Sequence, residues 1–163
     1  MKKVSKGCVA KRDCERHVRN ERAILSALRG SSPFVVSLLG TFQDASHLYF
    51  VLEFVAGGEL FSKLRGNMCL SEHSARFYLC EILAALAHVH DRGYAYRDLK
   101  PENVLLDLDG HCRLVDFGFA KQPPGDVSRA TGVSFCSTSL DQAYLETTRL
   151  KACVCARVFK IKK

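Results

Sequence analysis

The sequence predicts an α+β fold in which short antiparallel hairpins are combined with helices, within the length of one ordinary domain. Three observations predict it. Two runs rich in strand-forming residues, 34–42 and 47–55, are joined by a short polar segment. A helical pattern of apolar residues covers 72–91. Two further apolar runs flank Asp109-Gly110, so a second hairpin is expected there.

The first helix is predicted over 13–28, where Val18, Leu25 and Leu28 recur at helical spacing. Glu21 falls inside this apolar stripe, and a carboxylate on the core-facing side of a helix is costly unless a cation meets it. Periodicity alone leaves two interpretations open. Either Glu21 lies at the edge of the stripe and reaches water, or it forms a buried ion pair.

Glycines and a cap residue divide the middle of the chain. Gly57-Gly58 end the first pair of strands and predict a hinge between two parts of the fold, and a short helix follows at 59–65. Ser71 is a favourable N-cap for the long helix over 72–91. The expected buried face of that helix consists of Ala75, Tyr78, Leu79, Ile82, Leu86 and Val89.

The second hairpin brings chemically useful side chains together. With Asp109-Gly110 as a two-residue turn, Asn103 is predicted to face Asp116 at the open end of the hairpin. Directly opposed residues lie roughly 5 Å apart. Asp98 and Lys100 stand just before this hairpin. The pattern therefore predicts a site for a metal ion and phosphate.

Charge is unevenly distributed along the 163 residues, whose net charge is +7. Residues 1–30 and 121–163 are basic, with net charges of +6 and +5, whereas 31–120 has a net charge of −4. Basic ends favour nucleic acid or an acidic membrane surface, and an acidic centre favours metal ions or basic substrates. The basic segments carry no recognised nucleic-acid-binding motif, so nucleic acid is the weaker alternative.

The remaining composition favours a soluble, cytoplasmic protein. No apolar run is long enough to span a bilayer, and the first residues lack the apolar segment of a signal peptide. The eight cysteines form no C-x-x-C pair, so free thiols are expected rather than disulfides or a zinc site.

Specific motifs carry a family resemblance. YRDLKPEN at 96–103, followed at a fixed interval by DFG at 116–118, resembles the catalytic and metal-binding loops of protein kinases. YRD together with DFGFAK looks most like the cyclic-nucleotide-dependent kinases and their relatives in the AGC group. LYFVLEFVAGGELFSKL resembles the segment that joins the two kinase lobes. The resemblance implies a protein-kinase-like two-lobe fold.

The residues of these loops suit phosphoryl transfer, which depends on positioned metal ions, cations and an oriented hydroxyl. Asp98 can orient the substrate hydroxyl and accept its proton, and Lys100 can neutralise charge on the moving phosphate. Asn103 and Asp116 supply hard oxygen ligands for Mg²⁺. Either Asp98 or Asn103 alone would favour ordinary turn and cap chemistry, but the set of four favours a catalytic site.

The resemblance implies further contacts with ATP. Lys2 matches the strand lysine that touches the α- and β-phosphates, and Glu21 matches its helix partner, which favours the ion-pair interpretation of Glu21. Glu53 and Val55 match linker positions whose backbone groups meet adenine. The expected ATP-binding set is completed by Glu59, Lys100, Glu102, Asn103, Leu105 and Asp116. Glu59 and Glu102 match acids that lie near the ribose and near an arginine of the substrate.

A phosphorylation switch is also implied. Ser134, in VSFCST, matches the family's activation-loop phosphosite, although an ordinary loop serine is about as good an interpretation. His17, Arg97 and Lys121 match the cations that would receive its phosphate.

The resemblance covers part of a kinase domain. Residues 1–138 are expected to form it, with 1–55 as a small-lobe remnant and 56–138 as the start of the large lobe through the activation loop. The tail at 139–163 diverges. Only Met1 precedes Lys2 in the sequence, so the family's glycine-rich loop is expected to be missing, as are the later helices of the large lobe. We therefore expect a truncated fold, a poorly held Lys2 and little kinase activity.

The expected function is that of a serine/threonine kinase, because DLKPEN resembles serine/threonine rather than tyrosine kinases. It would transfer the γ-phosphate of ATP, with Mg²⁺, to hydroxyls of basic protein substrates. A regulatory subunit or domain is a further expected partner. The alternative is a non-catalytic kinase remnant that binds nucleotide or serves as an interaction module.

Overall fold

The computed structural model describes residues 1–11, 14–66 and 70–122. Their strands are β1 (Lys2–Ser5), β2 (Leu38–Gln43), β3 (His47–Leu52), β4 (Val104–Leu106) and β5 (Cys112–Leu114). Their α-helices are α1 (Lys6–Lys11), α2 (Glu15–Ala27), α3 (Leu60–Gly66) and α4 (Glu72–Asp91), and a 3₁₀ turn covers Pro101–Asn103. This combination of helices with antiparallel sheets is the predicted α+β class.

The first sheet is antiparallel, with strand order β1-β3-β2. The predicted hairpin of β2 and β3 is confirmed, with Asp44 forming its turn by accepting hydrogen bonds from the peptide N–H groups of Ser46 and His47. Strand β1 was not expected from the periodicity. It places Lys2 opposite Phe50 of β3, so the expectation that Lys2 is poorly held is wrong.

Helix α2 covers 15–27 of the predicted 13–28, and its buried side chains are Glu21, Ile24 and Leu25. The chain leaves the helix through Gly30, whose φ of +62° is a conformation that glycine adopts at little cost. Glu21 is only 4% exposed. Its place within the apolar stripe therefore corresponds to real burial, and the edge interpretation does not hold.

Helix α4 matches the predicted range 72–91. Ser71 has an extended backbone, and its hydroxyl accepts a hydrogen bond of 3.1 Å from the peptide N–H of Ser74. This bond satisfies one of the N–H groups that have no partner within the helix. The helix ends before Gly93, where φ is +77°. Its buried face places Leu86 and Val89 in the same core as Tyr96, the first residue of the YRDLKPEN segment.

The second hairpin has a different register from the predicted one. Leu105 pairs with Arg113, and a three-residue loop at 108–110 replaces the two-residue turn. Gly110 takes a φ of +89° and its N–H donates to the carbonyl of Asp107, as in a turn followed by a left-handed residue. The prediction that Asn103 directly faces Asp116 is therefore wrong. Val115 is opposite Asn103 instead, and its N–H donates a hydrogen bond of 3.0 Å to the backbone carbonyl of Asn103.

The predicted strand over 34–42 is divided between two partners. Only its second part, from Leu38, belongs to β2. The first part bonds to β5: the N–H of Val36 donates to Leu114 at 3.0 Å, and the N–H of Leu114 donates to Phe34 at 2.8 Å. Val35, Val36 and Leu114 are each at most 2% exposed, so burial of these apolar side chains favours this pairing. The segment joins the first sheet to the second hairpin.

The linker between the sheet and α3 is fixed to β4. The N–H of Gly57 donates to the carbonyl of Leu106 at 2.7 Å, and the N–H of Leu106 donates to Gly58 at 2.8 Å. A Cβ atom on Gly57 would lie 2.4 Å from the carbonyl oxygen of Asp107. Only glycine fits this close approach. Among the described helices, none is both long and apolar enough to cross a membrane.

Candidate active site

Lys2 is the centre of a cluster of three charged groups. Its Nζ lies 2.7 Å from Oε1 of Glu21 and 3.2 Å from Oδ1 of Asp116. The three residues come from β1, from α2 and from the segment after β5, so the cluster ties the first sheet to the second hairpin. The structure thus brings together three residues that the sequence assigned to ATP, although they are far apart along the chain.

Burial and charge act together on this cluster. Burial alone would lower the pKa of Lys2, but attraction and hydrogen bonds from Glu21 and Asp116 outweigh it and raise that pKa above the ordinary lysine value. Burial raises the pKa of Glu21, and the single cation Lys2 offsets this only in part. Lys2 therefore stays protonated, and Glu21 is the member of the pair whose charge is costly.

A second cluster forms within the segment 98–103. Lys100 Nζ lies 2.8 Å from Oδ2 of Asp98, and this hydrogen bond is the main cause that raises the pKa of Lys100. Asn103 donates from Nδ2 to both the carbonyl and Oδ2 of Asp98, each at 2.9 Å. Asp98 is therefore held in one orientation by a cation and an amide. The side chain is still 23% exposed, so it can meet a substrate.

The backbone at the two loops adopts a rare conformation. Arg97 has a φ of +65° and Asp116 a φ of +58°, and both are non-glycine residues in the left-handed region. Such conformations persist where the surrounding structure holds them, and they often occur at functional sites. Asp98 follows the first of these residues, and DFG begins at the second.

Tyr96 and Phe117 hold the two loops together, a role that the sequence did not assign. Both side chains are fully buried, and their rings meet edge to face with centroids 5.1 Å apart. The hydroxyl of Tyr96 also donates to the carbonyl of Val115 at 2.5 Å. Tyr96 belongs to the motif YRD and Phe117 to DFG, so the aromatic residues of the two motifs could have predicted this contact.

The donor set fits a magnesium ion shared with phosphates. Both N–H groups of the Asn103 amide are directed to Asp98, which leaves its oxygen as an acceptor for a ligand. Asp116 is half exposed, and its Oδ1 receives Lys2 and the N–H of Gly118 at 3.3 Å. Within the described ranges, no three His, Cys, Asp or Glu side chains form a metal cage. Two oxygen donors suit Mg²⁺, which takes its remaining ligands from water and phosphates.

The expected base-binding residues lie along the linker and the hairpin. The N–H of Glu53 donates to the carbonyl of Ser37 at 3.0 Å, and Val55 follows in irregular backbone. Glu59 forms a bridge with Leu105 of β4. Glu102 is half-buried in the 3₁₀ turn, close enough to contribute to the raised pKa of Lys100.

Two of the three cations expected to receive a phosphate contact Phe119. Arg97 donates to the carbonyl of Phe119 at 2.9 and 2.7 Å, and the ring of His17 lies 5.8 Å from that of Phe119. Lys121 pairs through its backbone with Ala95 and has an exposed side chain. Ser134 lies outside the described residues, as does the tail at 139–163.

Comparison with known proteins identifies the class. Residues 1–145 match the family described as the protein kinase domain. The chain belongs to the protein kinase family. The match confirms the family resemblance and the kinase-like fold class expected from the motifs.

Several similar proteins are named as cyclic-AMP-dependent protein kinases, which supports a serine/threonine kinase of the AGC type. The chain is 48% identical over 106 residues to a Caenorhabditis elegans protein named cAMP-dependent protein kinase, catalytic subunit-like, covering 65% of the chain and 26% of that relative. It is 48% identical over 108 residues to human cAMP-dependent protein kinase catalytic subunit PRKX, covering 66% and 30%. A Dictyostelium discoideum cAMP-dependent protein kinase catalytic subunit is 45% identical over 122 residues, covering 75% and 18%. The chain spans less than a third of the length of these relatives.

Proposed function

We propose that this chain carries the nucleotide-binding and catalytic loops of an ATP-dependent serine/threonine protein kinase. The observation that supports this best is the contact of Lys2 with both Glu21 and Asp116. Lys2 faces Glu21 and also Asp116, the carboxylate proposed to bind the metal, so its ammonium group lies where it could pair with the phosphates of a metal-bound nucleotide. The names of the relatives support the same reaction class.

In the proposed reaction, Lys2 binds the α- and β-phosphates of ATP while Glu21 keeps the lysine oriented. Asn103 and Asp116 hold Mg²⁺, which neutralises phosphate charge when bound. Asp98 orients the substrate hydroxyl and accepts its proton, and Lys100 stabilises the charge of the transferred phosphoryl group. The hydrogen bonds from Lys100 and Asn103 fix Asp98 before substrate arrives, which lowers the cost of positioning.

The proposed substrates are serine or threonine hydroxyls in basic peptides. The net charge of −4 over 31–120, the segment that contains Asp98, favours the approach of a basic chain. Because the relatives are named catalytic subunits, a regulatory subunit or domain is proposed as a partner. A cytoplasmic location is part of the same proposal.

The test is phosphate transfer from radiolabelled Mg·ATP to an arginine-rich serine peptide by the purified chain. We expect slow incorporation that disappears in Asp98→Asn and persists in Asp91→Asn, an exposed aspartate at the end of α4. The second candidate is the non-catalytic nucleotide-binding remnant. Retained Mg·ATP binding without any transfer that depends on Asp98 would favour it and overturn the catalytic proposal.

A further inference from the structure

An ion pair beneath the linker is not used by the mechanism above. Arg113 of β5 places Nη1 at 3.6 Å from Oε1 of Glu53, and Nη2 at 3.6 Å from Oδ2 of Asp107. Arg113 and Glu53 are each 26% exposed at the side chain, so the pair is largely shielded from water. The guanidinium of Arg113 is thus paired with two carboxylates, one from the linker and one from the residue that follows β4.

Glu53 depends on this arginine. Its Oε1 is buried and accepts no hydrogen bond from the described residues, and the guanidinium is the cation beside it. A buried carboxylate oxygen without a hydrogen bond is rare and costly, so the nearby positive charge matters for the conformation of Glu53. Asp107, by contrast, also accepts hydrogen bonds from the N–H groups of Asp109 and His111.

The pair connects two parts of the proposed nucleotide site. Glu53 begins the linker that is expected to meet adenine, and its N–H is bonded to Ser37. Arg113 stands opposite Leu105 in the hairpin, and Asn103 and Asp116 lie just outside the two strands of that hairpin. Arg113 therefore links the base-binding linker to the element that carries the metal-binding residues.

We infer that Arg113 is a positioning residue for the nucleotide base. It holds the side chain of Glu53 against the hairpin, and the backbone at the start of the linker is thereby kept in place for adenine. Arg113 itself touches neither the phosphates nor the metal. This inference rests on the proposed function, because it concerns the base of the same nucleotide.

The experiment separates base binding from phosphate binding. Calorimetric affinities for Mg·ATP and for Mg·tripolyphosphate are compared between the parent chain and Arg113→Met, which keeps an apolar stem but removes the charge. We expect the affinity for Mg·ATP to fall about fivefold, within the usual range for coupled sites, while that for Mg·tripolyphosphate is unchanged. Arg113→Lys should retain part of the preference. Arg76→Met, which removes an exposed ion pair with Glu72, is the matched control.

A double variant tests the route of the effect. If Arg113 acts through Glu53, adding Glu53→Gln to Arg113→Met should weaken Mg·ATP binding no further. Equal losses for Mg·ATP and Mg·tripolyphosphate, or no loss for either, would overturn the positioning role. A parent chain that binds Mg·ATP no better than Mg·tripolyphosphate would instead overturn the nucleotide site itself, and the inference with it.

Discussion

Lys2 forms ion pairs with two carboxylates, so its removal should affect both the stability of the fold and the binding of Mg·ATP. Lys2→Met leaves Glu21 buried without its cation, which should lower the free energy of unfolding by about 1–2 kcal/mol at neutral pH, less than for a fully buried pair because Lys2 is 35% exposed. The variant should also lose Mg·ATP binding. Lys3→Met, on the exposed side of the same strand, should leave Mg·ATP binding unchanged and lower stability less, because it removes a cation–π contact with Tyr49 rather than the cation of a buried carboxylate. Chemical denaturation and nucleotide titration measure the two effects.

The pH dependence of this loss follows from Glu21. Burial raises the pKa of its carboxyl in the folded state, and the shift becomes larger once Lys2 is removed. A raised pKa means that the folded state binds the proton more tightly, so the folded variant is favoured at low pH and loses stability as pH rises through that pKa. The difference between parent and Lys2→Met should therefore shrink on acidification. A constant difference across the titration would contradict the burial argument.

A second pH effect belongs to His111. Its Nδ1 lies 2.5 Å from Oε1 of the buried Glu81, and this hydrogen bond, with the attraction of Glu81, raises the pKa of His111. Asp107 and Asp109 also favour the protonated ring. The stabilisation is fully present below the ordinary imidazole pKa of about 6.5 and is lost as pH rises through the raised value.

The measurement is the free energy of unfolding between about pH 5 and pH 9, compared between the parent chain and His111→Gln. The stability advantage of the parent should fall as pH rises above the ordinary imidazole value. The matched control is His73→Gln, which replaces an exposed histidine on α4, the helix that carries Glu81. An advantage that grows with pH would show that the bond between His111 and Glu81 does not favour the protonated ring.

At the scale of elements, the packing of the linker against β4 depends on the close approach of Gly57 to the backbone of Leu106 and Asp107. In Gly57→Ala the new Cβ would meet the carbonyl oxygens of Asp107 and Leu106 at 2.4 and 2.6 Å. Backbone atoms cannot yield as a flexible side chain can, so the linker must shift and its hydrogen bond to Leu106 weakens. We expect a loss of stability of about 1–3 kcal/mol, as for other overpacked sites, together with weaker Mg·ATP binding.

The control for this variant is Gly40→Ala in β2. An added Cβ there meets nothing within 4 Å, so only the small intrinsic preference of the strand should change. Thermal melts and nucleotide titrations of the two variants provide the comparison. Equal effects at Gly40 and Gly57 would show that the close approach does not hold the linker.

The elements also show what could be predicted from sequence. Helix α4 was predicted over its observed range because its cap, its periodicity and its final glycine all agree. The register of the second hairpin was not, because Asp109-Gly110 suits both a two-residue turn and the observed three-residue loop. Local sequence cannot choose between them when the deciding contacts come from elsewhere, here from Phe34 and Val36 bonding to Leu114.

The same limit applies to the site. Motif spacing identified Asp98, Lys100 and Asn103, which lie within six residues, and the structure brings them into direct contact. Family resemblance suggested the pair of Lys2 and Glu21. The contact of Lys2 with Asp116, which joins the two ends of the described chain, was not predicted. The ion pair of Arg113 and Glu53 belongs to no sequence motif, so it could be recognised only from the three-dimensional structure.

At the scale of the whole molecule, the proposed active site lies where the first sheet meets the second hairpin. Three sets of contacts cross this junction: the hydrogen bonds of 34–36 to β5, the hydrogen bonds of the linker to β4, and the ion pairs of Lys2. The buried core continues across it, from Leu25 and Leu28 to Leu114 and Phe117. Nucleotide bound at the junction should therefore stabilise the whole fold by mass action.

That stabilisation provides the most direct test of the central claim, that Lys2, Asn103 and Asp116 form a Mg·ATP site. The melting temperature is measured for the parent, Asp116→Asn and the exposed loop control Asp109→Asn, with ATP in the presence of Mg²⁺ or of a chelator. We predict that Mg·ATP raises the melting temperature of the parent and of Asp109→Asn, that chelation abolishes the rise, and that Asp116→Asn shows none. Equal stabilisation of Asp116→Asn and the parent by Mg·ATP would contradict the account.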